Sequence, residues 1–257
     1  MDVDQLFSVS GKSVVVTGGS RGIGYMIAEG FVRAGARVII TARKIESCHE
    51  AAERLSANGE CLSMPSDLAS EDGRAGFADA VRDRFDDTLH VLVNNAGATW
   101  GAPIDEFPQA GWDKVLDVNV KGLGDLTRLL LPSLRRAASG ADPARVINIG
   151  SIDGLRVPAM ENYSYSASKA AVHMLTRHLA TRLAGERITV NAIAPGLFES
   201  KMTKFLLDDH AAEAAATIPL GRIGQPGDMA GTALFLASPA GSYVTGIVLP
   251  VDGGVQA

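Results

Sequence analysis

Val14-Val15-Val16-Thr17-Gly18-Gly19-Ser20-Arg21-Gly22-Ile23-Gly24 reads as a strand running into a glycine-rich turn, after which Ile23, Met26, Ile27, Gly30, Phe31 and Ala34 recur at helical spacing. Three consecutive valines describe a strand buried on both faces. The glycines permit a tight turn and let the backbone approach a diphosphate, whose charge is favoured by the helix N-terminus that follows. A glycine-rich turn on its own is also an ordinary structural corner. Its strand-turn-helix context, at the start of a βα series, directs this one to a nucleotide. Gly18, Ser20, Arg21, Gly22, Ile23 and Gly24 are the expected phosphate cradle, although Gly18-x-x-x-Gly22-x-Gly24 departs from the GxGxxG dinucleotide spacing.

Outward from this unit, apolar runs alternate with amphipathic stretches. Strand-like runs occupy 14–16, 38–40, 89–93, 145–149 and 188–193, and helical spacing runs through 44–57, 71–85, 112–137 and 159–184. Repeated βα units imply an α/β Rossmann fold, a doubly wound parallel sheet of about seven strands flanked by helices. No linker or repeat divides the 257 residues, so one domain spanning 1–257 is expected. The least regular segment is 194–225, rich in proline and glycine, where a loop beyond the carboxyl ends of the strands would lie over a ligand. Phe205, Leu206 and Leu207 within it suit either a mobile lid over an acyl chain or an ordinary surface helix.

Composition excludes several classes of function. Lys plus Arg number 24 against 29 Asp plus Glu, a net charge of −5, and the two signs are interspersed rather than gathered into a basic stripe, so no nucleic-acid partner is expected. No apolar run approaches the ~20 residues of a membrane span. Met1 to Gly11 has neither a basic cluster nor a long apolar stretch, and a cytoplasmic location is expected. The two cysteines and five histidines match no metal-ligand spacing, so no metal is expected.

Tyr165-Ser166-Ala167-Ser168-Lys169 places a phenol and an ammonium on one face of a helix. A nearby cation lowers a phenol's pKa from about 10, bringing proton transfer nearer neutrality. Tyr163 has Ala167 at the corresponding position and is the poorer candidate. The end of the second strand, Ile40-Thr41-Ala42-Arg43, carries no acid before Glu46. An NAD site needs a carboxylate there for the ribose 2′-hydroxyl, whereas Arg43, assisted by Arg21, matches a 2′-phosphate. NADP(H) is therefore the expected cofactor.

These motifs, in this order, resemble the short-chain dehydrogenase/reductase family over nearly the whole chain. Asp67-Leu68 resembles the family's adenine-contacting position. Asn94-Asn95-Ala96-Gly97 resembles its segment shaping the cofactor pocket, with Asn95, Ala96 and Gly97 as contacts, and Pro195-Gly196 its turn beside the nicotinamide. Each has a plainer reading as a helix cap, a turn or a loop corner. The resemblance implies four catalytic residues. Ser151, fourteen residues before Tyr165, would orient the substrate, Tyr165 would donate the proton, Lys169 would stabilise the tyrosinate and contact the nicotinamide ribose, and Asn119 would hold a water near the lysine. Without the resemblance, Asn119 reads as a polar surface residue on a helix.

Residues 94–102, 144–151 and 198–203 look most like the 3-oxoacyl reductases of that family, which implies reduction of a 3-oxoacyl thioester, on acyl carrier protein or CoA, to the 3-hydroxyacyl product. A dehydrogenase of a sugar acid or other secondary alcohol on the same machinery stays open, as does a non-catalytic nucleotide-binding regulator. The resemblance also implies a homotetramer built through the helices at 112–137 and 159–184 and a C-terminal strand near Ile247 to Pro250. For the proton donor the expected outcome is concrete. Tyr165→Phe retains folding and NADPH binding while steady-state turnover falls by about 10² or more, and Tyr163→Phe changes little.

Overall fold

In the computed structural model, which describes residues 2–200, 203 and 211–257, the apolar runs become β1 (Ser13–Thr17), β2 (Arg37–Thr41), β3 (Cys61–Ser63), β4 (Val91–Asn94), β5 (Ala144–Ile149), β6 (Ile188–Pro195) and β7 (Val248–Val251). All pair in parallel, in the order β3-β2-β1-β4-β5-β6-β7. The described helices are α1 (Val3–Leu6), ahead of β1, and then α2 (Gly22–Arg33), α3 (Ile45–Ser56), α4 (Glu71–Arg84), α5 (Gln109–Leu116), α6 (Leu123–Ala137) and α7 (Tyr163–Leu183), followed by Ala211–Ala216 and Pro226–Ala237. The expected doubly wound sheet is present. None of the described helices is long and apolar enough to cross a membrane.

The pleat explains why the strands read as unbroken apolar runs. Val14, Val16, Val38 and Ile40 point to one face, against Ile27 and Phe31 of α2 and Met229 and Leu236 of the helix Pro226–Ala237. Val15, Ile39, Leu92 and Val146 point to the other, against Phe77 of α4 and Leu126 and Leu130 of α6. Full burial of a side chain the size of Phe31 or Leu130 contributes roughly 1.5–3 kcal/mol, so the two layers dominate the fold's stability. Pro250 is accommodated because β7 is an edge strand and needs no outward donor.

One polar network interrupts the apolar layers. The Asn94 amide donates to Thr127 Oγ1 and Asn148 Oδ1, each at 3.0 Å, and Asn148 donates to Thr176 Oγ1 at 2.9 Å. This chain pins α6, β4, β5 and α7 in register, because a buried amide left unpaired is unfavourable.

The helix expected over 112–137 is not continuous. A π-turn, Asp117–Gly122, separates α5 from α6 and contains Asn119. Helical periodicity tolerates one inserted residue, so the apolar pattern did not reveal it. The helix expected from 159 begins at Tyr163. Within 194–225 the described residues include a Phe198–Gly224 bridge and the helix Ala211–Ala216; Phe205, Leu206 and Leu207 lie outside the described residues.

At the amino ends of the strands, Arg145 is 1% exposed and bonded to Asp142 and to the Ser238 carbonyl at 2.9 Å. Lys12 donates to the same carboxylate at 2.6 Å and to the Ala237 carbonyl at 3.2 Å. Asp142 thus neutralises two enclosed cations that would otherwise repel one another. Asp142→Ala leaves both without a counter-charge, and chemical denaturation is expected to show a loss of about 2–3 kcal/mol.

Candidate active site

β1 and β4 are neighbours while their chain continuations leave in opposite directions across the sheet, which opens a crevice beyond their carboxyl ends. The cleft there has a volume of about 560 Å³. Every residue assigned to the cofactor from sequence borders it, as do Ser151, Tyr165 and Lys169.

The glycine turn forms its floor. Gly18 has φ +66°, and a Cβ there would lie 2.8 Å from Asn95 Nδ2 and 3.0 Å from Ala96 Cα. A Cβ on Gly24 would lie 2.3 Å from the Gly18 carbonyl oxygen. α2 begins without a side-chain cap and without an acid in its first turn, so its leading N–H groups face the cleft unclaimed by a carboxylate. Asn95 holds the turn from behind, donating to the Thr17 and Gly18 carbonyls at 2.8 and 3.2 Å. Thr17 Oγ1 accepts the backbone N–H groups of Asn95 and Ala96, both at 2.9 Å. Sequence reasoning missed Thr17, whose place in an apolar strand gives no signal.

The side walls carry contrasting chemistry. Arg21 and Arg43 are exposed and line the cleft, and at the end of β2 the buried Thr41 hydroxyl, also at the cleft, has no hydrogen-bond partner. Asp67 accepts the Ala69 N–H at 3.1 Å, so its carboxylate shapes its own loop. Leu68 and Ala69 are fastened by Arg74, which donates to their carbonyls at 3.1 and 3.0 Å and pairs with Asp125 at 2.7 Å. The Arg74 and Arg128 guanidinium groups hold the Asp125 carboxyl below its usual range. Arg74 lies in a helix of ordinary mixed charge, and only the tertiary contact marks it.

Of the four residues implied as catalytic, Ser151, Tyr165 and Lys169 border the cleft, and Asn119 does not. Ser151 caps the short 3₁₀ turn Ile152–Gly154 by accepting the Asp153 N–H at 3.1 Å, and its hydroxyl lies against the Tyr165 phenol. Lys169 donates to the Ile149 carbonyl at 2.7 Å, and its nitrogen is 5.4 Å from the centre of the Tyr165 ring. Asn119 is 2% exposed and not at the surface; its amide accepts from Ala98 N at 2.8 Å and donates to Ala98 O at 3.0 Å and Ser168 Oγ at 2.9 Å. The π-turn presents this side chain to both neighbours. Tyr163 turns instead to Glu161, to which it donates at 2.9 Å, and packs edge-on against Phe107.

The electrostatics run opposite to the expectation for the phenol. Enclosure of the Tyr165 hydroxyl pushes its pKa up to about 12, with the Ser151 hydrogen bond opposing and the Asp153 charge adding to the rise. Burial brings Lys169 down to about 8. The ammonium points to the Ile149 carbonyl and over the ring face, so desolvation outweighs its pull on the phenol oxygen. At neutral pH Tyr165 retains its proton and Lys169 its charge.

Beyond β6, Gly196 donates its N–H to Val251 O at 2.9 Å, and a Cβ there would meet Asp252 at 2.7 Å. Phe198, Ser200 and Thr203, which sequence offered only as part of a stretch resembling the 3-oxoacyl reductases and not as site residues, line the cleft. Thr203 Oγ1 donates to the Phe198 carbonyl at 2.6 Å, and a Cβ on Gly22 would lie 3.2 Å from Ser200 Cβ, which places this segment directly over the glycine turn.

Comparison with known proteins agrees with this arrangement. The family described as enoyl-(acyl carrier protein) reductase matches residues 18–256. The chain is 51% identical, over 96% of its length and 97% of the relative's, to the rhamnolipids biosynthesis 3-oxoacyl-[acyl-carrier-protein] reductase of Pseudomonas aeruginosa. It is 37% identical to galactitol 2-dehydrogenase (L-tagatose-forming) of Cereibacter sphaeroides, covering 99% of this chain and 98% of that one. The Pseudomonas aeruginosa RhlG/NADP active-site complex superposes with a TM-score of 0.95 at 48% identity, covering 98% of this chain and 99% of that one. With its parallel sheet, its glycine turn and its Ser151, Tyr165 and Lys169 around one cleft, the chain belongs to the short-chain dehydrogenase/reductase family.

Proposed function

We propose that the chain reduces a 3-oxoacyl thioester to its 3-hydroxyacyl product with NADPH. One observation carries this reading: Ser151, Tyr165 and, one helical turn on, Lys169 border the same cleft that the glycine turn heads. The likeness to a 3-oxoacyl carrier-protein reductase supports the substrate class.

The cleft fits the cofactor. A Cβ at Gly18 or Gly24 would close the turn against its neighbours, the open N-terminus of α2 suits a diphosphate, and the unpartnered Thr41 hydroxyl stands beside Arg43 at the place where an NAD site would carry an acid. Arg21 and Arg43 would hold the 2′-phosphate, Asp67 and Leu68 the adenine, Asn95 to Gly97 the ribose side, and Pro195 and Gly196 the nicotinamide. NADPH supplies the hydride. Ser151 and Tyr165 donate hydrogen bonds to the substrate oxygen as negative charge develops there. Tyr165 gives its proton to that oxygen, and the Lys169 ammonium favours the resulting tyrosinate. The phenol is protonated at neutral pH and gives up its proton as charge builds on the substrate oxygen. Asn119 orients the Lys169 turn through Ser168. We further assign the chain to a cytoplasmic homotetramer, with contacts through α5, α6, α7 and β7; Met174 on α7, 62% exposed, is the kind of side chain such an interface covers.

Two measurements test the reading. Medium-chain 3-oxoacyl thioesters are expected to give a higher kcat/KM than short ones, each buried methylene adding up to about 0.8 kcal/mol; a preference for sugar ketones or polyols would favour the dehydrogenase alternative. Arg43→Ala is expected to weaken NADPH by roughly 10- to 150-fold in steady-state kinetics and to leave NADH nearly unchanged. Equal loss for both cofactors would remove Arg43 from the 2′-phosphate.

A further inference from the structure

α7 carries Tyr165, Lys169 and His173 at four-residue steps, so the three side chains share one helical face. The first two border the cleft. His173, 3% exposed, lies behind them, and the mechanism above gives it no part. Opposite stands the turn that presents Ser151, which leaves β5 through Gly150 and ends at Gly154.

Both glycines close on the imidazole. A Cβ at Gly150 would lie 2.2 Å from His173 Nε2 and 2.7 Å from Cδ2, and one at Gly154 would lie 2.8 Å from Cε1 and 2.7 Å from Ala170 N. Neither glycine has a positive φ. Their lack of a side chain therefore answers to the nearness of α7 and its imidazole, not to backbone conformation. The ring touches the turn on both sides of Ser151, one residue before it and three residues after.

Burial of apolar volume alone does not select histidine here. Neither ring nitrogen makes a hydrogen bond of normal geometry, which an aliphatic side chain of similar volume would avoid. Burial, followed by the charge of Lys169, holds the imidazole pKa down to about 4 against the pull of the Gly154 backbone, so the ring is neutral over the working range. What the site uses is a flat, uncharged plate thin enough to fit between two backbone segments.

We propose that His173 is a positioning residue for Ser151: wedged between Gly150 and Gly154, its ring fixes the turn that holds the Ser151 hydroxyl against the Tyr165 phenol. The proposal rests on the roles assigned above to Ser151 and Tyr165. It couples the two arms of the site, since the helix that carries the phenol and the ammonium also carries the support for the serine.

A double-mutant cycle on the full chain tests it. His173→Ala is expected to lower kcat about 10-fold while the KM for NADPH, and NADPH affinity by fluorescence titration, stay within about twofold. In a Ser151→Ala background the same substitution is expected to change kcat by less than about twofold, because the group it positions is already gone. His173→Gln, whose amide is also flat and uncharged, is expected to recover most of the loss. His173→Leu keeps the volume but not the plate, and it carries the same cycle if the alanine variant does not fold. Losses of equal size in the two backgrounds, a parallel loss of NADPH affinity, or wild-type kcat in both His173→Ala and His173→Leu would overturn the role of His173. Wild-type kcat in Ser151→Ala would overturn the reading of Ser151 itself, and so separates the two failures.

Discussion

One threonine hydroxyl ties the molecule together at the place where it works. Thr17 Oγ1 accepts the N–H groups of Asn95 and Ala96 while donating to the Val93 carbonyl at 3.3 Å, which locks the end of β1 to the end of β4 at the reversal of the sheet. With these backbones held so close, the first turn after β1 has room only for glycine at 18 and 24. The phosphate cradle, the open start of α2 and the depth of the cleft all follow from that approach. A longer distance between the strand ends would admit side chains, and the backbone could no longer approach an anion directly.

The catalytic end of the cleft depends on a second constraint, enclosure. Lys169 is buried and packed atoms crowd the Tyr165 hydroxyl at the cleft wall, and each is driven toward its neutral form, the phenol to about 12 and the amine to about 8. Fixed groups replace the missing solvent: the Ile149 carbonyl for the ammonium and the Ser151 hydroxyl for the phenol. Such preorganised partners act on developing charge without first having to reorient. The π-turn at 117–122 contributes similarly, since its irregular backbone delivers the Asn119 amide to Ala98 and Ser168 together.

Much of this was legible in the residues. Three consecutive valines, the glycine turn and the helical spacing from Ile23 to Ala34 describe a βα unit whatever surrounds them, because strand and helix periods are properties of local backbone geometry. The same locality made Tyr165 and Lys169 neighbours on paper, one helical turn apart, and the absence of an acid near Arg43 was visible as composition. Resemblance to a family added Ser151 and Asn119, which periodicity could not connect to Tyr165. Even so, the three-residue β3 was too short to stand out as a periodic run, and the π-turn was hidden because one extra residue barely disturbs an apolar stripe.

Sequence by itself therefore determined the alternation of the longer strands and helices, the glycine turn and the pairing of phenol with ammonium, all set by contacts within a few residues. Tertiary structure alone decided the rest. Arg74 reaches Asp125 across 51 residues to fasten the cleft wall, and Thr17 reaches Asn95 across 78. It also reversed the expected direction of the Tyr165 pKa, because desolvation depends on every atom packed around the hydroxyl and not on the one cation four residues away.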